Sequence, residues 1–208
     1  KEYSLALVAT PKFNSLYTYS SYLNQWTRLS TLSDNGQYPD QTDVSRICAT
    51  YDLKHRKLVT RYANTASPTD TWTFDIGTRA WKKIVTATLP PNGNSTSLWG
   101  THSALSYDRK NGVVIYLLNS GTQTWALNLD NNTWSNLNPS GNPPSSNSGG
   151  GGLEYDPRRN VHVVYTVAND QVWTFKYGPG ITSRPDAPIN SAGVTDAGGI
   201  NLSWQAPP

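Results

Sequence analysis

Hydrophobic and polar residues alternate along several short stretches of this chain, and the pattern returns at regular intervals. Between residues 70 and 84, Trp72, Phe74 and Ile76 alternate with polar residues, which is the period-2 pattern of a half-buried β-strand. A Gly-Thr pair then favours a turn, and Trp81 opens a second strand. The pattern therefore predicts a β-hairpin.

Related hairpins follow one another along the chain with a period of about 50 residues. Three independent markers keep the same register, so the repeat is not a coincidence of composition. The markers are Tyr17, Trp72, Trp125 and Trp173 on the first strand, Trp26, Trp81 and Trp134 on the second, and Tyr-Asp pairs that begin at Tyr51, Tyr107 and Tyr155.

Each full unit is predicted to hold four short strands. In the second unit these are Arg46–Tyr51, Lys57–Tyr62, Thr71–Ile76 and Trp81–Ile84. In the third unit, Val113–Leu118 is apolar without alternation, as expected of a strand that is covered on both faces. Repeated four-stranded antiparallel units of this length predict the blades of a β-propeller, so the expected fold class is all-β.

The units resemble kelch repeats, as in the galactose-oxidase-like propellers. The residues that carry the resemblance are Gly100–Tyr107, Thr124, Trp125, Trp134 and Leu137, with their counterparts in the other units. The Gly-Gly doublet that kelch repeats usually carry is replaced by Asn64–Pro68 and by Asn119–Gly121. Residues 1–179 are therefore interpreted as a divergent kelch-type propeller of about three and a half blades.

The composition changes after residue 179. Residues 180–184 are interpreted as a linker, and residues 185–208 resemble the first two strands of a fibronectin type III sandwich. The resemblance lies in the Pro-x-x-Pro opening at Pro185 and in the Leu-Ser-Trp run that ends at Trp204. Such a domain needs about 100 residues. The expectation is that the chain is an excerpt of a longer protein, truncated at both ends.

Composition and charge narrow the possible partners. The chain has 8 Trp and 12 Tyr but only 15% charged residues, which argues against disorder. A net charge of +3 without a concentrated basic stripe predicts no nucleic-acid partner, and no apolar run is long enough for a membrane span. The single cysteine, Cys48, excludes an internal disulfide, and a buried core thiol is favoured over a reactive one. No cofactor or metal is predicted.

Propeller geometry places the long connections at one end of the blades, where binding residues are most often found. This loop end is predicted to bind a ligand, because an exposed aromatic ring beside acids and amides suits sugars. The candidate residues are Tyr38, Asp40, Asp43, Arg46, Trp99 and His102. For Trp99 and His102 a packing role is the favoured alternative. Asp34 with Asp40 and Asp43 would suit calcium by residue type, but solvated loop acids are favoured because their spacing does not match the EF-hand loop.

The tight turns at the other end carry a large share of the positive charge. If the blades stack, seven basic residues form an arc that would attract an anionic polysaccharide, an acidic protein or a cell surface. The alternative is that exposed turns simply favour polar residues. The arc consists of Lys54, Arg56, Lys57, Arg109, Lys110, Arg158 and Arg159.

Enzyme signatures are scarce. The copper radical oxidases among the galactose-oxidase-like propellers have an adjacent Tyr-His pair, and this sequence has none. The favoured function is therefore a non-catalytic binding or structural module of a secreted, extracellular multidomain protein, whose loop end contacts carbohydrate or protein, with self-assembly as a further option. Two alternatives stay open: a secreted carbohydrate-active oxidase, lyase or hydrolase with its catalytic residues outside this chain, and an intracellular kelch adaptor.

Overall fold

The computed structural model describes residues 5–9, 15–34, 36–37, 39, 47–62, 70–91, 104–118, 123–139, 151–166, 171–178, 189–196 and 199–205. These residues form β-strands joined by turns and extended segments, and no helix among them is long and apolar enough to cross a membrane. The strands are β1 (Leu5–Ala9), β2 (Ser15–Ser20), β3 (Gln25–Ser30), β4 (Ile47–Asp52), β5 (Lys57–Tyr62), β6 (Thr71–Asp75), β7 (Ala80–Ile84), β8 (Ala104–Asp108), β9 (Val113–Leu117), β10 (Thr124–Asn128), β11 (Thr133–Asn136), β12 (Gly151–Asp156), β13 (Val161–Thr166), β14 (Gln171–Phe175), β15 (Ile189–Asp196) and β16 (Gly199–Gln205).

The strands form successive antiparallel sheets in chain order. The sheets are β1-β2-β3, β4-β5-β6-β7, β8-β9-β10-β11 and β12-β13-β14, followed by the separate pair β15-β16. We call the first four sheets blades 1 to 4. The all-β prediction is confirmed, and the four strands predicted for the second unit match blade 2 to within one residue at each end.

The blades are stacked as in a β-propeller. The first strands of neighbouring blades lie side by side, β4 against β8 and β8 against β12. Three apolar clusters fill the spaces between blades 1 and 2, blades 2 and 3, and blades 3 and 4. The propeller prediction is thus confirmed, whereas the kelch type and the fibronectin type III domain stay predictions. Strands β15 and β16 pair antiparallel, with a register shift between Ile189 and Ala192.

Each blade has two faces, because side chains alternate across a strand. We call the face toward the preceding blade the leading face and the opposite face the trailing face. On the leading face of blade 2, Trp72, Phe74 and Trp81 pack against Leu16 and Leu29 on the trailing face of blade 1. The Phe74 and Trp81 rings lie 5.0 Å apart, so the two hairpin strands present one continuous aromatic surface.

A buried arginine lies between blades 2 and 3. Arg61, on the trailing face of blade 2, is fully buried, and its guanidinium carbon lies 4.8 Å from the Tyr116 ring centre and 5.5 Å from that of Trp134. Its Nη2 donates a hydrogen bond of 2.6 Å to the carbonyl of Pro90. Trp134 Nε1 also donates to Thr71 Oγ1 at 3.1 Å, so cation–π and polar contacts fix the indole against blade 2.

The last strands of blades 1, 2 and 3 carry tryptophan at equivalent positions, but the three differ in burial. Trp81 is 2% exposed and Trp134 is 4% exposed, because each packs against the preceding blade. Trp26 is 51% exposed, since the described residues include no blade against the leading face of blade 1. The position of a tryptophan in its hairpin therefore does not decide whether it is buried. Its burial depends on whether a neighbouring blade covers the side chain.

Replacing Trp81 with alanine is expected to lower the free energy of unfolding by about 3–5 kcal/mol, because a buried aromatic side chain leaves a cavity between blades. The equivalent change Trp26→Ala is the matched control, and in dilute protein it is expected to cost about 0.5 kcal/mol or less. Urea unfolding curves measure both. Equal losses in the two variants would contradict the assignment of the interface between blades 1 and 2.

Candidate binding surface

The residues predicted at the loop end lie outside the described residues. This holds for Tyr38, Asp40, Asp43, Arg46, Trp99 and His102, so their role stays a prediction. Asp34 is described, and its Oδ2 accepts a hydrogen bond of 3.1 Å from the backbone of Lys83 in β7. This carboxylate therefore anchors the segment that follows β3 to blade 2. Among the described residues, no group of three or more His, Cys, Asp or Glu side chains is placed to hold a metal ion.

At the opposite end, which we call the turn end, the described part of the chain forms six four-residue turns of one design. In each turn, a side-chain oxygen of the last strand residue accepts a hydrogen bond from a backbone N–H of the turn, at 2.8–3.3 Å. The fourth turn residue has a left-handed backbone. The acceptors are Ser20, Asp52, Asp75, Asp108, Asn128 and Asp156, and the left-handed residues are Asn24, Arg56, Arg79, Gly112, Asn132 and Asn160.

The turn design explains the Tyr-Asp pairs in the sequence. The aspartate of each pair is the acceptor that closes the first turn of its blade, as Asp52, Asp108 and Asp156 show. At Asp75, the hydrogen bond from the backbone of Thr78 lowers the pKa of the carboxyl group below its usual value. These acids therefore hold the turns in shape.

All seven residues of the predicted basic arc lie at the turn end of blades 2, 3 and 4. Six of them are exposed, and Lys57, the first residue of β5, is half-buried. The structure thus brings Arg56, Arg109 and Arg158 onto three successive blades.

Part of this charge is neutralised by ion pairs. Lys54 Nζ pairs with Asp130 Oδ2, and His55 lies between two carboxylates, with Nδ1 2.7 Å from Asp52 and Nε2 3.0 Å from Asp130. Since Asp130 belongs to blade 3, the cluster ties the turns of blades 2 and 3 together. Hydrogen bonds from Lys54 and then His55 lower the pKa of Asp130. The backbone N–H of Lys54 also donates to the Tyr107 hydroxyl at 3.2 Å.

Other cations at the turn end remain exposed. Arg159 pairs with Asp156 at 2.9 Å, and this hydrogen bond lowers the pKa of Asp156. Arg79, which sequence reasoning missed although its turn was predicted at this end, is exposed as well. Among the described residues, no carboxylate forms an ion pair with the set that we call the open cations: Arg56, Arg79, Arg109, Lys110 and Arg158.

A buried polar trio connects blades 3 and 4. His162 Nδ1 lies 3.1 Å from Ser106 Oγ, and His162 Nε2 lies 3.6 Å from Asp108 Oδ2. Burial by itself would raise the pKa of Asp108, but the contacts with His162 and Asn111 bring it below its ordinary value. The residue types are those of a hydrolase triad, yet each is at most 3% exposed. No substrate reaches Ser106 in this arrangement, so the trio is a structural connection between blades.

Cys48 lies on β4 and is partly buried. Burial raises the pKa of its thiol to about 12, and Sγ lies 3.5 Å from the carbonyl oxygen of Arg61, to which the thiol donates. The thiol is therefore protonated at neutral pH. A structural role fits this environment, in line with the interpretation from sequence.

Comparison with known proteins identifies a fold but no family. No family model and no curated protein matches this sequence. Among solved structures, an auxiliary nutrient binding protein from Bacteroides ovatus is 10% identical, with a TM-score of 0.50 over 92% of this chain and 49% of that protein. TolB from Acinetobacter baumannii is 13% identical, with a TM-score of 0.49 over 97% of this chain and 47% of that protein. The similar structures are β-propeller-like, and this chain spans about half the length of these two.

Gly112→Ala is expected to lower the free energy of unfolding by about 1–2 kcal/mol, because Gly112 has a φ of +66° and an added Cβ would lie 3.3 Å from Lys54 Cδ. Gly112→Asn is expected to cost less, since Asn24, Asn132 and Asn160 already adopt this conformation. Gly152→Ala, where a Cβ meets open space, is the control. Thermal unfolding measures all three, and equal costs for the Ala and Asn variants at Gly112 would contradict the proposed strain.

Asp108→Asn is expected to lower stability at neutral pH by about 1–3 kcal/mol, because a buried charged acceptor is lost. Since the folded protein holds the pKa of Asp108 below 3.8, this stabilisation is present above the pKa of the unfolded chain and disappears as the pH falls through the folded value. The difference between wild type and variant should therefore shrink below about pH 4. A difference that stays constant between pH 7 and pH 3 would argue against this account, and His162→Gln should reduce the pH effect.

Proposed function

We propose that this chain is a non-catalytic binding module of an extracellular multidomain protein, and that the open cations at its turn end bind an acidic polysaccharide. The observation that carries the proposal is their arrangement: exposed cations recur on the turns of blades 2, 3 and 4. A linear polyanion presents charges at regular intervals, and such a repeated surface matches it better than a single charged site does.

The rigidity of the turns supports a binding role for the open cations. Each turn is closed by a side-chain acceptor, and the Lys54–Asp130 and His55–Asp130 contacts join two neighbouring turns. Cations held on such turns lose little backbone entropy when they bind. The turns and the strand residues that flank them carry five carboxylates and eight cations, so the charge at this end is positive. The carboxylates are Asp52, Asp75, Asp108, Asp130 and Asp156, and the cations are Lys54, Arg56, Lys57, Arg79, Arg109, Lys110, Arg158 and Arg159.

A binding role also agrees with the comparison that has the TM-score of 0.50, since that Bacteroides ovatus protein is described as an auxiliary nutrient binding protein. The loop end is the second surface of the proposed module. There, Tyr38 and Trp99 would contact a neutral sugar or a protein, and a kelch-type propeller followed by a fibronectin type III spacer would suit an extracellular setting.

The test measures binding of heparin, used as an acidic polysaccharide probe, by calorimetry at several salt concentrations. The triple variant Arg56→Asn, Lys110→Gln, Arg158→Gln is expected to weaken binding about tenfold or more at low salt, because each exposed ionic contact contributes up to about 1 kcal/mol. The variant should also show a weaker dependence of affinity on salt. Asn is chosen at position 56 because Asn tolerates the left-handed backbone conformation that Arg56 has in its turn.

The matched control removes three positive charges away from the turn end: Arg28→Gln, Lys82→Gln and Lys83→Gln. It has the same net charge as the triple variant, and its affinity is expected to stay within about threefold of wild type. Equal losses in both variants would show that net charge alone drives binding and would refute the turn-end site. In the double variant Tyr38→Ala, Trp99→Ala, loss of heparin binding would move the site to the loop end.

A further inference from the structure

The turns between the first and second strands of blades 2, 3 and 4 share a contact that the third residue of each turn makes. The backbone N–H and the side chain of this residue both reach the aspartate that closes the turn. The third residue is His55 in blade 2, Asn111 in blade 3 and Arg159 in blade 4. Asparagine and arginine side chains always offer at least two N–H donors, whereas histidine offers two only when its ring is protonated.

In blades 2 and 3 the same side chain also joins its blade to the next one. Asn111 Nδ2 donates to the aspartate of its own turn at 2.9 Å and to the carbonyl of Tyr177, just beyond β14 of blade 4, at 3.4 Å. His55 is placed in the same way. Its Nδ1 lies 2.7 Å from Asp52 in its own turn, and its Nε2 lies 3.0 Å from Asp130 in blade 3.

The two carboxylates decide which form of His55 fits this position. An ionised carboxylate only accepts hydrogen bonds, and a neutral imidazole has one N–H and one nitrogen lone pair. In the neutral ring, one nitrogen would therefore direct its lone pair at a carboxylate oxygen that lies 2.7 or 3.0 Å away. The imidazolium ion donates to both carboxylates. His55 thus makes both contacts favourably only when its ring carries a positive charge.

The charged and titratable groups around His55 come from three segments: Asp52, Lys54 and Arg56 from its own turn, Tyr107 from β8, and Asp130 from the turn between β10 and β11. Hydrogen bonds from Lys54 and then His55 hold the pKa of Asp130 below its usual value, so this carboxylate stays ionised. Burial raises the pKa of the Tyr107 hydroxyl, which therefore keeps its proton. Histidine is the residue type in this set whose charge ordinarily changes between about pH 5 and 8.

We propose that His55 is a protonation-dependent link between blades 2 and 3, and that its charged form strengthens the binding of an acidic polysaccharide at the turn end. The second half of the proposal rests on the proposed function. A proton on His55 adds a positive charge beside Arg56, one of the open cations, and the charged ring engages Asp130, whose negative charge opposes a polyanion.

The direction of the pH effect follows from this arrangement. As the pH rises, the ring loses its proton and can donate to only one carboxylate. The contact with Asp52 is kept, because the Asp52 side chain is 1% exposed and that of Asp130 is 51% exposed. The link to blade 3 is then lost, the turn end becomes less positive, and the affinity for a polyanion falls.

Nuclear magnetic resonance of the 208-residue chain labelled with 15N-histidine tests the link without any ligand, since nitrogen shifts distinguish imidazolium from either neutral ring. The variant His55→Asn identifies the His55 signals. At about pH 5.5 both ring nitrogens should carry a proton, and at about pH 7 the doubly protonated share should be smaller in Asp130→Asn than in wild type. A ring with one proton at pH 5.5, or an equal share in the variant, overturns the link.

Heparin calorimetry at about pH 5.5 and about pH 8 tests the effect on binding. The chain itself suggests two matched variants. His55→Asn copies the neutral donor of blade 3, and His55→Arg copies the permanently charged donor of blade 4. Wild type is expected to bind about threefold to fivefold more tightly at the lower pH, the range for one exposed ionic contact. His55→Asn should keep the lower affinity at both pH values, and His55→Arg should keep the higher one.

The outcomes separate this proposal from the proposed function. If wild type binds heparin but both variants keep the pH difference of wild type, the regulation by His55 is wrong and the turn-end site stands. If wild type binds no heparin at either pH, the proposed function fails together with the second half of this proposal, and the resonance experiment still decides the link. Both variants are expected to fold, because Asn111 and Arg159 occupy the equivalent turn position, and thermal unfolding checks this before affinities are compared.

Discussion

The structure depends on burying both faces of the inner sheets, blades 2 and 3. A single antiparallel sheet usually covers one face and leaves the other in water, and its strands then alternate apolar and polar residues. Here the central strand β9 is apolar throughout: Val113, Val114 and Ile115 are all buried, and they reach clusters on opposite sides of blade 3. No blade is therefore a complete folding unit by itself, and the aromatic rings, the buried arginine and the polar trio all serve contacts between blades.

Much of this architecture could be predicted from sequence, because the local alternation predicts short strands and the repeat of about 50 residues predicts four-stranded blades. Alternation in residues 70–84 identified the strands of a hairpin, and the Tyr-Asp pairs recur at the end of the first strand in blades 2, 3 and 4. The turn chemistry at Asp52 and Asp108 gives those pairs their physical reason. The seven basic residues were predicted in tight turns, and the structure has them at the turn end, but their role as a binding arc stays a prediction.

Other features depend on contacts between distant segments, which a repeat pattern does not contain. Trp26 and Trp81 look alike in sequence, yet one is exposed and the other buried, because burial is decided by the neighbouring sheet. The location of Arg61 between two aromatic rings, and the link from His162 to Ser106, likewise join residues of different blades. Sequence reasoning also overlooked Arg79. The turn between β6 and β7 was considered only as a link between two strands and not as a source of exposed charge.

The uniform turns have a consequence for how such a protein can change over time. Each turn has four residues and closes on a side-chain acceptor, and one inserted residue would shift the register of the next strand and exchange its two faces. In blades 2 and 3 both faces are buried between blades, so that exchange would disrupt two interfaces at once. The connection between β7 and β8, which spans residues 85–103, is far longer than these turns. Variation in the turns is thus expected to be restricted to substitution, whereas long connections generally tolerate insertions, so the two ends can acquire new partners by different genetic routes.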